Sequence, residues 1–294
     1  MDKRLIPYIQ VILENRHGRL CMGGSGSPQW RITEISGLGL LGKNFSTVTY
    51  PGESGQLTLG HTYGPRTISI SGVIMNDGNL QRTLANAIHI FQDDVTVKLQ
   101  FGERKRKTLC HVAVFENNER NVYLQHFVLQ LIADNPFFED WEDTSVAVYK
   151  RENLLKTTFT LPCVFSKRTN EIDVLVTGQE NSEPVILIAN TASPVNALAE
   201  SGIEITNTLP DGMEQRIFLE TTTQAGETIT VNIPERTVTS NLRGNLLNAL
   251  SNDSFLSDFY LAPGTNRVSV TNYNTSEDIS VLCQYNNRYL EAVY

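Results

Sequence analysis

The stretch "FFEDWED", residues 137–143, sets four carboxylates (Glu139, Asp140, Glu142 and Asp143) around Trp141 and behind two phenylalanines. Paired acids can hydrolyse a glycosidic bond when one protonates the leaving group and the other attacks or activates water, across a gap of ~5–9 Å. Such acids usually come from separate elements, whereas these four crowd five residues just beyond Asn135-Pro136. A solvated turn anchored by its aromatics is the simpler reading. The five histidines, His17, His61, His89, His111 and His126, show no H-E-x-x-H spacing. Of these, His111 and His126 fall on strands expected to pair, where they could approach one another. "GLGLLG", 37–42, is formally G-x-G-x-x-G, yet a dinucleotide site needs a helix directly after it. The adjoining residues, "KNFSTVTYPGESG", are too rich in β-branched side chains, glycine and proline to start one. "GGSGSPQW" lacks the second glycine of a nucleophile elbow, because position 27 is serine. No catalytic residue, cofactor or metal site is therefore expected.

The one strong basic run is "ERKRK", 103–107, which gives Arg104, Lys105, Arg106 and Lys107 as a solvated hairpin tip or an electrostatic contact. Sequence-specific nucleic-acid readout has no support, since neither a recognition helix nor a set of stacking aromatics lies nearby. The charge is uneven. Residues 1–140 hold 14 Lys+Arg against 13 Asp+Glu, +1, and residues 141–294 hold 10 against 19, −9, which sums to −8. The second half therefore repels polyanions and anionic membrane over most of its surface. Cys21, Cys110, Cys163 and Cys283 lie far apart, form no C-x-x-C and read as free buried thiols, in keeping with folding in a cytosol. The opening "MDKRLIPYIQVILE" imitates a signal peptide, but Pro7, Gln10 and Glu14 interrupt it and no cleavage site comes after. Neither export by that route nor membrane anchoring is expected.

Strand patterns position most of these residues. "VTVKLQF" (95–101), "LCHVAVFE" (109–116), "NVYLQHFVLQLIAD" (121–134) and "PRTISISGVIM" (65–75) alternate with a two-residue period. One segment departs from it: Leu80, Leu84, Ala87, Ile88 and Phe91 fall on a helical stripe that Asp77 or Asn79 can cap. Beyond residue 150 short strands are expected near 157–165, 172–177, 184–190, 202–207, 215–221, 227–233, 255–262, 266–273, 278–285 and 288–294. A leucine-bearing turn of helix in "NLRGNLLNAL" interrupts them. The fold class is thus mainly β: an N-terminal β-rich domain with one amphipathic helix on a sheet, then a jelly-roll sandwich. Pro136 cannot donate to a ladder, so the strand ends there. The expected division is 1–135, a linker over 136–152, and 153–294, with Pro136, Phe137, Phe138 and Trp141 at the junction.

The order of these features resembles the distal tail proteins of long-tailed phages. "ITEISGLGLL" and "YPGESGQLTLGHTYGPRTISISGVI" come first, followed by the single helix, "VTVKLQF", the basic hairpin and a long strand closing on "LIADNPFF". In the second half "EPVILIANTASPVNALAESGIEITN", "GETITVNIPERTV" and "NLLNALSNDSFLSDFYLAPGTNRVSV" are similar to the family's galectin-like domain. The resemblance implies a ring, usually of six copies, formed by the N-terminal domain at the lower end of the tail tube. It implies a galectin-like domain that projects outward, and no catalytic residues. The implied partners are the tail tube protein, a tail-tip hub protein and receptor-binding or baseplate proteins, with DNA passing only transiently and no membrane contact. The implied location is the virion tail, after synthesis in the host cytoplasm. The reading from another class is a free-standing lectin-like protein, with Tyr260, Tyr273, Tyr285, Tyr289 and Asn286 as sugar-facing candidates.

Overall fold

A computed structural model describes residues 9–24, 27, 29–52, 54–117, 123–148, 150–153, 166–190, 202–273 and 279–292. Two units form: Met1–Trp141 together with Tyr289–Tyr294, and Glu142–Arg288. The chain therefore leaves the first unit near Trp141 and re-enters it at Tyr289.

In the first unit the strands are β1 (Ile9–Asn15), β2 (Gly18–Gly23), β3 (Trp30–Ser36), β4 (Lys43–Val48), β5 (Leu57–Tyr63) and β6 (Arg66–Met75). After helix α1 (Leu80–Phe91) come β7 (Val95–Phe101), β8 (Arg104–Glu116), β9 (Leu124–Ala133) and β10 (Phe138–Asp140). The main sheet runs β2-β1-β7-β8-β9-β6-β3, all antiparallel, while β4 and β5 pair only with each other. Alternation places Ile68, Ile70, Ile74, Val95, Val97, Leu99, Phe127, Leu129 and Leu131 in one core, against which α1 lays Leu80, Ala87 and Ile90. The helix lies where its stripe indicates, with one correction. Ile88 is 47% exposed and Ile90 takes the buried place: the two lie about 80° to either side of Leu80, and the core covers the side that Ala87 and Ile90 share. Asn79 occupies the N-cap without a side-chain bond. Asp77 instead accepts from the Asn79 N–H at 3.1 Å.

In the second unit the strands are β11 (Thr144–Ala147), β12 (Lys150–Asn153), β13 (Ser166–Thr169), β14 (Glu171–Val176), β15 (Val185–Asn190), β16 (Ile203–Thr208), β17 (Glu214–Leu219), β18 (Thr228–Asn232), β19 (Thr237–Ser240), β20 (Gly244–Asn245), β21 (Gly264–Asn272) and β22 (Ile279–Tyr285). β12 and β13 pair with each other, and the other ten form antiparallel sheets β11-β22-β15-β18-β19-β20 and β14-β21-β16-β17, which share the core of Val174, Ile186, Ile188, Ile205, Ile217, Val231, Val268 and Val281. This is the two-sheet sandwich that the alternating apolar residues require. Three expected elements differ. Residues 255–262 hold a 3-10 turn, Leu256–Asp258, and a single bridge from Leu261 to Ser182, so no strand runs there. Among the described residues from 288 onward only β23 (Arg288–Tyr289) is strand, and it pairs with β10. The helical turn expected in "NLRGNLLNAL" is a 3-10 turn, Leu247–Ala249. The strand expected at 157–165 lies outside the described residues.

Much of the stretch read as a linker, 136–152, is regular structure: it contains β10, β11 and β12. Phe138 is fully buried in the first core. Phe137 meets Tyr63 edge-on at 5.8 Å, and the Trp141 indole N–H donates to the Arg106 carbonyl at 2.9 Å. The three aromatics expected at a junction thus make these contacts inside the first unit.

Candidate assembly surfaces

Acidic "FFEDWED" and basic "ERKRK" turn out to answer one another. Asn135 Oδ1 accepts from the Phe137 N–H at 3.2 Å, a local turn that Pro136 helps to shape, and the chain then runs as β10 against β8. Glu139 faces Lys107 and Asp140 faces Arg106 across the ladder. The Arg106 guanidinium donates to Asp140 at 2.6 Å and lies 3.5 Å above the Tyr289 ring, whose hydroxyl also donates to Asp140. Lys105 sits 5.2 Å from the Trp141 ring. Of the four carboxylates, Asp140 is thus tied to a guanidinium and a phenol, while Glu139 lies beside Lys107 in the ladder. The basic run is strand and not hairpin tip, because the turn is Gly102–Glu103 and Arg104 already pairs with Phe101. Arg104 and Lys105 remain exposed, whereas Arg106 and Lys107 are half-buried.

"GLGLLG" has a structural purpose. Gly37 adopts φ +85°, and a Cβ there would stand 2.1 Å from the Thr67 carbonyl, so only glycine fits. Its carbonyl and that of Gly39 accept from Arg66 at 2.7 and 2.8 Å.

The segment after it was not anticipated as an arm. β4 and β5 form a two-stranded hairpin in which every strand residue but half-buried Tyr63 is exposed, Phe45 by 61% and Leu59 by 66%. Phe45 faces His61 and Lys43 faces Tyr63 in the register, so these four share one face; Asn44, Ser46, Gly60 and Thr62 share the other. Ring contacts run Phe45–His61 at 6.2 Å, His61–Tyr63 at 5.6 Å and Tyr63–Phe137 at 5.8 Å. A bulge between Ser46 and Thr47 precedes a Val48–Leu57 pair. An isolated hairpin is at best marginal in water, and an amphipathic one leaves its apolar face to be covered.

The histidines do not gather. β8 and β9 pair, but His111 opposes Ile132 and His126 opposes Val73, which separates them. His111 instead holds two carboxylates, Asp94 at Nδ1 (2.6 Å) and Asp134 at Nε2 (2.9 Å). Carboxylates only accept, so both ring nitrogens must carry protons, and the Asp134 and Asp94 bonds raise the His111 pKa. A raised folded-state pKa gives stability that is complete below the unfolded value and lost as pH rises through the folded one. His111→Gln is therefore expected to lower unfolding stability most below pH 6.5, the ordinary histidine value, with the difference from the parent vanishing in alkali. Urea titrations across that range check it. His17 and His89 stack at 4.4 Å beside Asp93, a contact without a local sequence signal. Among the described residues no group of three or more His, Cys, Asp or Glu is placed to hold a metal, and no helix is long and apolar enough to cross a membrane. Cys110 and Cys283 are buried free thiols, pushed up to about 12 by desolvation, Cys21 is half-buried, and Cys163 lies outside the described residues.

The sugar-facing candidates do not converge. Tyr285 is sealed in the second core and donates to the Leu175 carbonyl, while Tyr289 belongs to the first unit. Asn286 donates to Asp143 at 2.6 Å, and the Tyr260 carbonyl accepts from buried Asn207. Tyr273 alone stands well exposed, its hydroxyl on Glu204.

No curated protein sequence matches the chain. Residues 177–289 match the siphovirus-type tail component, C-terminal domain. That span covers most of the second unit, so its sandwich is similar to the tail-component domain, in line with the resemblance to distal tail proteins drawn from the sequence. The full chain is similar in fold to the Dit protein of phage SPP1, described as a paradigm of the hub adsorption apparatus in phages infecting Gram-positive bacteria. The TM-score is 0.64 at 10% identity, over 95% of this chain and 98% of that one. A chain of the phage P2 baseplate in its activated conformation with calcium is similar at TM-score 0.52 and 11% identity, over 95% of this chain and 98% of that one. The tail-component family is structural and not an enzyme family.

Proposed function

We propose that this chain is a distal tail protein of a long-tailed phage or a phage-derived tail. Six copies close into a ring through the first unit and join the tail tube to the tail-tip adsorption apparatus. The observation that carries this reading is the β4–β5 arm, whose exposed aromatic face needs a second copy to cover it. A contact between two different faces of one chain closes into a ring when the rotation permits, and into a filament otherwise. The tail-component match at 177–289 supports the tail setting. The likeness of the whole chain to SPP1 Dit supports the division of labour between a ring body and an outward tail-component domain. The partners on this reading are the tail tube protein above, a hub protein below, and receptor-binding or baseplate proteins at the second unit. DNA crosses the ring only during ejection, and the protein has no catalytic residue of its own.

Negative-stain images and mass measurement of the purified chain test the proposal. A ring with a central hole is the expected result, and a monodisperse monomer at every concentration overturns it. Arg104 and Lys105, the exposed members of the basic run, are proposed to touch a neighbouring copy or to face the channel, with Arg106 and Lys107 set behind them. The Arg104→Ser, Lys105→Ser double variant is then expected to weaken ring formation at physiological salt or to reduce infectivity. Parental assembly together with parental infectivity removes that contact.

A further inference from the structure

Arg66 is fully buried, and among the described residues no other Lys or Arg is buried with it. Among the described residues it has no carboxylate partner. Its guanidinium donates to four carbonyls: Pro136 from Nε at 2.7 Å, Gly37 and Gly39 from Nη1 at 2.7 and 2.8 Å, and Leu290 from Nη2 at 2.7 Å. The Phe138 ring lies 4.3 Å beneath it. Burial lowers its pKa to about 10, which reflects the cost of keeping a cation here. A well-packed apolar side chain in such a place is often as stabilising, so the arginine needs another reason. The planar fork offers five donors in fixed directions and can hold several backbones in one mutual arrangement.

The four carbonyls mark the places where the chain enters and leaves. Gly37–Gly39 lead into β4, and Arg66 itself comes after β5 with only Gly64 and Pro65 between, so two of the joined segments form the base of the arm. Pro136 lies on the chain going out to the second unit, and Leu290 on the chain coming back. Two further contacts tighten the same junction: the Ala292 N–H donates to the Leu38 carbonyl at 2.9 Å, and Tyr63 at the arm's root meets Phe137.

We infer that Arg66 is a positioning residue that sets the direction in which the β4–β5 arm leaves its unit, and that it does so only with the returning segment Leu290–Ala292 in place. A chain whose second unit has not been completed then carries an arm without a fixed direction, and assembly waits for the finished protein. The inference rests on reading the arm as the surface that meets a second copy.

The test separates direction from assembly. Nitroxides carried by non-natural amino acids replace Thr47 on the arm and Ala85 on α1, both exposed, in a Phe45→Ser background that keeps copies apart. Pulsed electron–electron distance measurements on this chain are expected to give one narrow distribution. Arg66→Met, and separately a chain ending at Tyr289, are expected to broaden it at least twofold while buried Trp30 keeps its native fluorescence. With Phe45 restored, the same two changes are expected to raise the concentration needed for assembly at least tenfold. A narrow, unshifted distribution in either altered chain overturns the inference. Unfolding of the first unit in both also counts against it, because a positioning role leaves that unit folded. If the parent itself never assembles, the ring proposal fails, and the distance distributions still decide what Arg66 does.

Discussion

Phe45→Ser combined with Leu59→Ser should leave the chain folded and unable to form a ring. Both side chains are mostly exposed in the single chain, so their loss should change its unfolding free energy by no more than about 0.5 kcal/mol. In an assembly they are the side chains best placed to be covered, and full burial of each contributes roughly 1.5–3 kcal/mol. Two per contact amount to about 3–6 kcal/mol, and every 1.4 kcal/mol is a factor of ten in affinity, so each contact weakens by roughly a hundredfold to ten-thousandfold. A closed ring needs all its contacts, which makes the loss steeper than any one contact suggests. Sedimentation at a concentration where the parent assembles should show a monomer with an unchanged melting curve. A double variant that still sediments with the parent would mean that the arm faces something other than a second copy.

The arm also shows where reading the sequence stops. Its residues carry β-branched and aromatic patterns around "YPGESG", all consistent with strand, but periodicity reports which face is apolar and not whether the protein itself covers that face. The body of both units was legible because it obeys that rule. Ile68, Ile70 and Ile74, Val95 and Val97, and the stripe Leu80–Ala87 each place apolar groups on one side, and one core receives them. Arg66 left no local signal. A lone arginine before a β-rich run reads as surface, and its four carbonyl partners lie up to 224 positions away. The acidic cluster misled for a related reason. Four carboxylates in five residues look solvated when taken alone, and only the pairing of β10 with β8 brings two of them, Glu139 and Asp140, to a basic run some thirty positions earlier. The return of the last residues to the first unit likewise depends on tertiary contacts at Leu38 and Arg66 that no window of sequence contains.

Arg243→Met should produce the largest loss of stability in the second unit. Glu227 is fully buried there, and its carboxylate accepts from Arg243 Nε at 2.7 Å and Nη2 at 3.1 Å, from the Gln224 N–H at 2.8 Å and from the Ser240 hydroxyl. Arg243 also reaches the Thr221 hydroxyl and the Thr222 carbonyl, each at 2.8 Å, so one ion pair ties the loop before β18 to the turn after β19. Removing the cation leaves a buried carboxylate uncompensated, which typically costs about 3–5 kcal/mol. Arg243→Lys should recover little, since one ammonium cannot reproduce the bidentate grip. Glu227→Gln in the Arg243→Met background should restore part of the loss, because the orphaned charge is then gone. Burial alone would raise the Glu227 pKa, but Arg243, Ser240 and the Gln224 N–H outweigh it and hold the group below its ordinary 4.5. A depressed folded-state value contributes stability above the unfolded pKa and loses it as pH falls through the folded one, so parent and variant should converge in acid. The two units allow an internal control. Both tryptophans, Trp30 and Trp141, lie in the first unit, so fluorescence reports that unit alone, while far-UV circular dichroism reports both. Denaturant titration should show the dichroism midpoint of the second unit falling while the fluorescence midpoint stays put. A shift of both together would show that the units unfold as one body and that the pair's contribution is not confined to the sandwich.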